Sequence, residues 1–272
     1  MILMLFFTGE WAFPQTLYDI PAREIAMGGV SGITGSPGAV WYNPAALGNL
    51  KHPSLSITGE LRGYGEMNGG IFYFYHEDLS SSGIFLVVNQ MQGIELWSEE
   101  NESLGTASSK SFLVAFPIAY TFSKNLTMGI LCKYISENLI ETSLTALSGD
   151  AGLLLSFPPF HAGISVRNVY GVIHNIKWTS PLREIRVAFA RESENLTGEM
   201  DLYWRGNSPG VSLGVEYMAE WVYLRAGFSW LDTWRICTGL GVKEENFSLD
   251  LAFTVNDLSY RTSFSFTWFM SH

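Results

Sequence analysis

Side chains able to do chemistry are plentiful in this sequence but poorly assembled for it. Nucleophilic hydrolysis needs a serine and a histidine activated together. The five histidines, His52, His76, His161, His174 and His272, are scattered along the chain, with no pair at metal-ligand spacing. Gly32, Gly35 and Gly38 are spaced as if to cradle a phosphate, but no Lys-Ser/Thr follows them and no strand–helix unit surrounds them. Flexible turns in a packed segment explain these glycines better. The sequence therefore predicts no catalytic residue, no metal ligand and no cofactor. Asn101, Asn125, Asn195 and Asn246 each begin an N-x-S/T triplet. Three of them fall at expected tight turns, where asparagine is favoured for its backbone geometry. The net charge of −10 leaves no basic patch to neutralise phosphates, which excludes nucleic acid as a partner.

What remains is a set of ionic side chains at alternating positions. Glu60, Asp150, His161, Arg167, Arg186, Glu199, Asp201, Arg205, Glu216, Arg225, Arg235, Asp250 and Arg261 share one face of successive segments. The opposite face reads Val211, Leu213, Val215, Tyr217, and later Phe247, Leu249, Leu251, Phe253. A soluble β-sandwich shows similar alternation, but its inner face is free of charge. Here acids and bases occur in similar numbers on the polar face, as though they pair across an enclosed lumen. Charges on the lipid face of a membrane barrel are costly, whereas its lumen tolerates them.

The elements that must position these groups are strands. Charged residues make up only 15% of the chain and aromatic residues 14%. No apolar run approaches the 18 or more residues of a transmembrane helix. Alternation begins at Leu55, Ile57, Gly59 and Leu61, and is cleanest over Lys110 to Phe122. Pro117 in that strand predicts a bulge or a local break in the ladder. Gly70–His76 and Gly83–Met91 are apolar on both faces, so their register stays open. Further strands are expected near Leu126–Ser136, Leu147–Phe157, Phe160–Asn168, Leu182–Arg191, Leu196–Arg205, Val211–Met218, Trp221–Trp230, Trp234–Val242, Phe247–Val255 and Tyr260–Phe269. The total is about fourteen, each close to the roughly 9–11 residues a tilted strand needs to span a bilayer. Connections alternate between tight ones, such as Ser123-Lys124 and Pro158-Pro159, and loose ones at Gly93–Ser109, Asn138–Ala146 and Val169–Pro181. That is the pattern of short periplasmic turns and longer extracellular loops. Cys132 falls on an apolar face and Cys237 on a polar one, so two free thiols are expected.

The fold expected is an all-β, transmembrane antiparallel barrel over residues 53–272, preceded by something different. Residues 1–20 read as a tail or the remnant of a signal peptide. Met1–Phe7 is apolar but has no basic n-region, and no A-x-A site precedes Pro14. If it is cleaved, the mature chain begins between Gly9 and Thr16. Residues 21–52 hold a Gly-, Ala- and Pro-rich stretch without strand alternation, expected to plug the lumen. Asn43 is its expected fixing point. Its amide either bridges arginine and carboxylate side chains on the wall, or caps a short helix over Ala45–Gly48 with Pro44 at the first position, or does both.

Arg23, then Met27-Gly28-Gly29, then Trp41-Tyr42-Asn43-Pro44-Ala45, in that order, resemble the N-terminal signature of the PorV/PorQ family. The wider FadL-like outer-membrane barrels share the Asn-Pro-Ala part. Later stretches agree, among them Ser148–Gly152, Leu213–Tyr217, Leu224–Gly227, Thr238–Val242, Ser248–Ala252 and Ser263–Phe269. Two features depart from the family. Gly35-Ser36-Pro37-Gly38 stands where acidic residues are usual, and Met270-Ser271-His272 continues past the aromatic that would end the last strand. The resemblance implies a 14-stranded barrel in the bacterial outer membrane with lipid around it, and the even strand count puts both termini in the periplasm. Eight strands are filled by their own side chains and sixteen or more leave a channel, which gives a plug its purpose here. Two roles follow from the resemblance. One is a non-enzymatic barrel that binds or shuttles secreted proteins or secretion-machinery partners. The other is a FadL-like channel for hydrophobic small molecules. Lumenal charge favours the first, because a greasy conduit should be lined by apolar side chains.

Overall fold

The computed structural model describes residues 21–63, 66–77, 79–97, 103–139, 142–174, 182–256 and 259–270. The expectations for residues 1–20, Asn101 and His272 lie outside the described residues. The chain opens with a five-residue helix, α1 (Ala22–Ala26), and two 3₁₀ turns at Pro37–Trp41 and Pro44–Asn49. Fourteen strands follow. They are β1 (Ser54–Arg62), β2 (Glu66–Glu77), β3 (Ser80–Trp97), β4 (Ser103–Ser123), β5 (Leu126–Leu139), β6 (Thr142–Phe157) and β7 (Phe160–His174). The second half holds β8 (Glu184–Glu192), β9 (Leu196–Arg205), β10 (Ser208–Ala219), β11 (Val222–Trp230), β12 (Trp234–Lys243), β13 (Phe247–Asn256) and β14 (Tyr260–Phe269). Each strand pairs antiparallel with its sequence neighbours, and β1 pairs with β14, so the barrel is closed. Closure removes both sheet edges, and every ladder hydrogen bond is made within the wall. Among the described residues no helix is long and apolar enough to cross a membrane.

The strands close in this register because their outward residues form a continuous apolar surface. Ile57, Ile71, Leu86, Phe116, Ile130, Ile164, Leu213, Leu240, Leu251 and Phe264 are all exposed on it. Aromatic residues crowd both rims. Phe122, Phe157, Phe160, Trp221 and Trp268 stand at the end with the short turns, and Tyr170, Trp204, Trp230, Trp234 and Tyr260 at the other. Paired aromatic girdles around an apolar band are the mark of an outer-membrane barrel. Cys132 lies on this outer surface, Cys237 is buried inside, and both are free thiols.

One expectation needs correction, and two others find their physical reason. The stretches Gly93–Ser109 and Asn138–Ala146 are largely strand, because β3–β4 and β5–β6 run on as long hairpins. Beyond the apolar band a strand needs no apolar alternation, so periodicity cannot find it. Pro117 breaks the ladder on one side, as expected, without a bulge. It pairs in step with Leu131 of β5, while the ladder to β3 skips Gly83 and Ile84 without a shift in register. That side is where the missing N–H would have bonded. Finally, β2 and β3 are apolar on both faces because their inward residues Phe72, Phe74, Phe85 and Val87 are buried in an apolar sector of the lumen.

Candidate functional site

The candidate site is the lumen itself, together with the N-terminal segment 21–50 that lies in it. Glycines bring backbone against backbone there. A Cβ on Gly214 or Gly227 would run into Met27 and Gly28, and one on Gly239 into Ala26. On the other side Gly129 lies against Pro44 and Ala45, Gly152 against Asn43, and Gly163 against Asn43 and Ile33. Gly28 itself has φ +83° and sits 2.7–2.9 Å, at its Cβ position, from the backbone of Phe228 and Leu213. Only glycine satisfies both that conformation and that approach. The wall glycines were not singled out from the sequence, although each occupies an inward position of its strand.

The charged residues bind this segment to the wall. Arg23 of α1 donates from Nε and Nη2 to the two oxygens of Glu216 on β10, at 2.9 and 2.8 Å. Arg225 on β11 donates Nε to the same carboxylate at 2.6 Å, and its Nη1 lies 2.8 Å from Asp250 on β13. On β9, Asp201 accepts from the backbone N–H and the hydroxyl of Ser31, at 2.7 and 2.6 Å, and from Arg186 at 2.8 Å. Arg186 also donates to the Gly29 carbonyl at 2.7 Å and lies between the rings of Tyr42 and Tyr203, 4.9 and 4.5 Å from their centroids. Cation–π stacking of a desolvated guanidinium adds about 2 kcal/mol or more. Glu184, not singled out from the sequence, gathers Arg167, Arg186 and Arg205 around one carboxylate. It shares inward parity with Arg186, which could have marked it. Glu60 binds Arg62 and Arg261, and Lys133, also not singled out, pairs with Asp150 at 2.7 Å. Arg235 is half-buried beside Gly29. These groups pair within the wall and with the segment, and such pairs are costly to break one partner at a time.

Asn43 caps the second 3₁₀ turn, accepting from Ala45 N–H at 3.0 Å, and donates Nδ2 to the Leu153 carbonyl of β6 at 3.2 Å. The expected bridge to arginine and carboxylate side chains is not what it makes. The glycine gap at Gly152 and Gly163 admits the amide to backbone alone. Trp41 stands at a boundary, its ring edge-on to Phe85 at 5.7 Å and beneath Arg167 at 5.5 Å. On the Phe85 side, Val40, Trp41, Leu47 and Leu50 pack on an apolar wall of Phe72, Phe74, Val87, Leu113, Ala115, Leu131, Ile135 and Ala146, drawn from β2–β6. On the other, near the short turns, a polar cavity of about 180 Å³ is lined by Arg23, Glu24, Ser36, Glu216, Arg225 and Asp250. Burial raises the Glu24 carboxyl above the usual carboxylate range.

Among the described histidines, His161 meets both a serine and a carboxylate. His161 presents Nδ1 to Ser156 Oγ at 3.2 Å and Nε2 to the exposed Glu192 at 3.5 Å. That is the reverse of the order that activates a serine. No group of metal-binding side chains occurs among the described residues.

No family model and no curated protein matches the sequence. Solved structures do match in fold. The CymD monoaromatic hydrocarbon channel superposes with a TM-score of 0.72 at 12% identity, over 93% of this chain and 98% of that one. The Pseudomonas putida toluene transporter TodX gives 0.66 at 13% identity, over 91% and 96%. Acinetobacter baumannii Omp33 gives 0.51 at 8% identity, over 80% and 98%. This chain therefore has the fold of outer-membrane channels.

Proposed function

We propose that this protein is a bacterial outer-membrane channel for hydrophobic small molecules, with residues 21–50 as its plug and both termini in the periplasm. The observation that carries the reading is the apolar sector on β2–β6, backed by Trp41. A conduit for greasy solutes needs such a wall, and CymD and TodX, similar in fold, are channels for that class of compound. The role as a binder of secreted proteins or secretion machinery loses its main argument. The charges that favoured it are engaged with one another and with the plug.

The test is uptake of a labelled monoaromatic hydrocarbon by cells with intact outer membranes. Uptake should be several-fold faster with the protein than without it. Leu113→Asp, which puts a charge in the apolar sector, should remove that advantage while the barrel still shows its heat-modifiable gel shift. Equal uptake with and without the protein would sink the reading.

A further inference from the structure

The lipid-facing wall carries a groove of about 740 Å³ across β7–β11. Its floor is small side chains in register. Gly198 and Ala226 flank Val215 on the neighbouring strands, and a Cβ at Gly198 would meet nothing within 4 Å. The next row toward the long hairpins, Phe189, Met200, Leu213 and Phe228, forms its side. At the short-turn end stands Arg191, directly opposite Gly198 on the adjoining strand. It faces outward and is exposed, its guanidinium 5.8 Å from the Phe160 ring centroid. Among the described residues no carboxylate pairs with it.

An arginine on the lipid face of a barrel is expensive unless its head reaches the interface and an anion meets it there. Arg191 lies next to the Phe160 girdle residue, one residue from the end of its strand, at headgroup level. We propose that this groove binds one phospholipid of the periplasmic leaflet, its phosphate on Arg191 and an acyl chain over Gly198, Val215 and Ala226. The choice of leaflet rests on the orientation given above; the site does not depend on what the channel carries. Anionic phosphate matches the unpaired guanidinium, which can take two phosphate oxygens at once. The groove volume lies within the ~300–1,000 Å³ typical of small-molecule sites. It also lies back to back with the plug's seat. Gly214 and Gly227, whose inner sides touch Met27 and Gly28, line the groove as well. A bound chain and the plug thus share a single layer of backbone.

Native mass spectrometry of the detergent-purified barrel with added phosphatidylglycerol tests this. The wild type should retain one lipid through detergent exchange. Arg191→Gln should weaken retention about tenfold, as loss of a charge-assisted contact implies. Gly198→Leu, which fills the groove and leaves Arg191 in place, should weaken it as much. Lys124→Gln, at a turn away from the groove, should change nothing, and all variants must show the heat-modifiable shift of a folded barrel. Retention unchanged in both Arg191→Gln and Gly198→Leu would overturn the site. So would displacement of the lipid by millimolar inorganic phosphate, because the acyl chain would then contribute nothing.

Discussion

The two sides of the lumen wall hold the N-terminal segment 21–50 by different means. Strands β7–β14 and β1 present acids, arginines, serines and glycines, and grip α1 and residues 27–33 through hydrogen bonds and ion pairs. Strands β2–β6 present mainly phenylalanine, leucine, isoleucine and alanine beside the Lys133–Asp150 pair, and hold residues 40–50 chiefly by apolar packing, with one hydrogen bond from Asn43 to the Leu153 carbonyl. The difference teaches where movement is cheap. Directional bonds have few satisfactory arrangements, and a half-broken network leaves charges buried without partners. An apolar contact can slide or admit a solute of similar character without losing a defined partner. Under the proposed channel function, a hydrophobic solute would pass on the β2–β6 side, with the charged half as the hinge.

The sharpest way to break this comparison is to cut the hinge. Glu216→Ala leaves Arg23 and Arg225 without the carboxylate they share. Removing one member of a buried ion network costs about 3–5 kcal/mol. Urea unfolding of the refolded barrel should show that loss, and single-channel records in planar bilayers should show long-lived openings. Unchanged conductance would mean that α1 is held by packing instead.

The matching cut in the apolar half should cost somewhat less. Leu131→Ala empties space in the sector beneath Leu47 and Trp41, at about 3 kcal/mol for a buried leucine. Its distinctive outcome is permeability. Hydrocarbon flux should rise while ion conductance stays low, because the charged half remains closed. If ion conductance rises as it does for Glu216→Ala, the two halves are not functionally distinct.

The charged half was legible in the sequence and the apolar half was not, for one physical reason. Alternation reveals a face only where inside and outside differ in polarity. At Asp201, Glu216, Arg225 and Asp250 the lumen is polar and the lipid side apolar, so parity assigned each side chain. At Phe72, Phe74, Phe85 and Val87 both sides are apolar, and the register of β2 and β3 could come only from pairing. Segment 21–50 was readable as non-strand from its missing alternation. Its docking glycines were not, because Gly152 or Gly227 looks like any weak strand position until the opposing backbone is in place.

A smaller effect is expected where the N-terminal segment crosses between the halves. Arg186→Lys keeps the charge but loses the planar group stacked between Tyr42 and Tyr203, along with its fork of donors to Asp201 and Gly29. About 1–2 kcal/mol should go, read in the same urea titration. A null result would assign the anchoring of Gly29 to its glycine contacts alone.

The smallest effect belongs to Asn43, and it separates two jobs done by one amide. The oxygen caps the 3₁₀ turn at Ala45 N–H, and the nitrogen ties that turn to the Leu153 carbonyl. Losing an N-cap side chain to alanine costs about 1 kcal/mol, so Asn43→Ala should give brief, infrequent openings. Asn43→Ser keeps a capping oxygen but is too short to reach β6, and Asn43→Asp keeps the cap but turns an acceptor toward the Leu153 carbonyl. If the cap alone matters, serine and aspartate should both behave like the wild type. If the tie to β6 matters, serine should resemble alanine and aspartate should open more often than either, because two acceptors then face each other in the gap between Gly152 and Gly163. We expect the second order, aspartate above alanine and serine, because that gap has room for the amide alone and none for a screening group. Openings of equal frequency in aspartate and wild type would place the whole role of Asn43 in the turn.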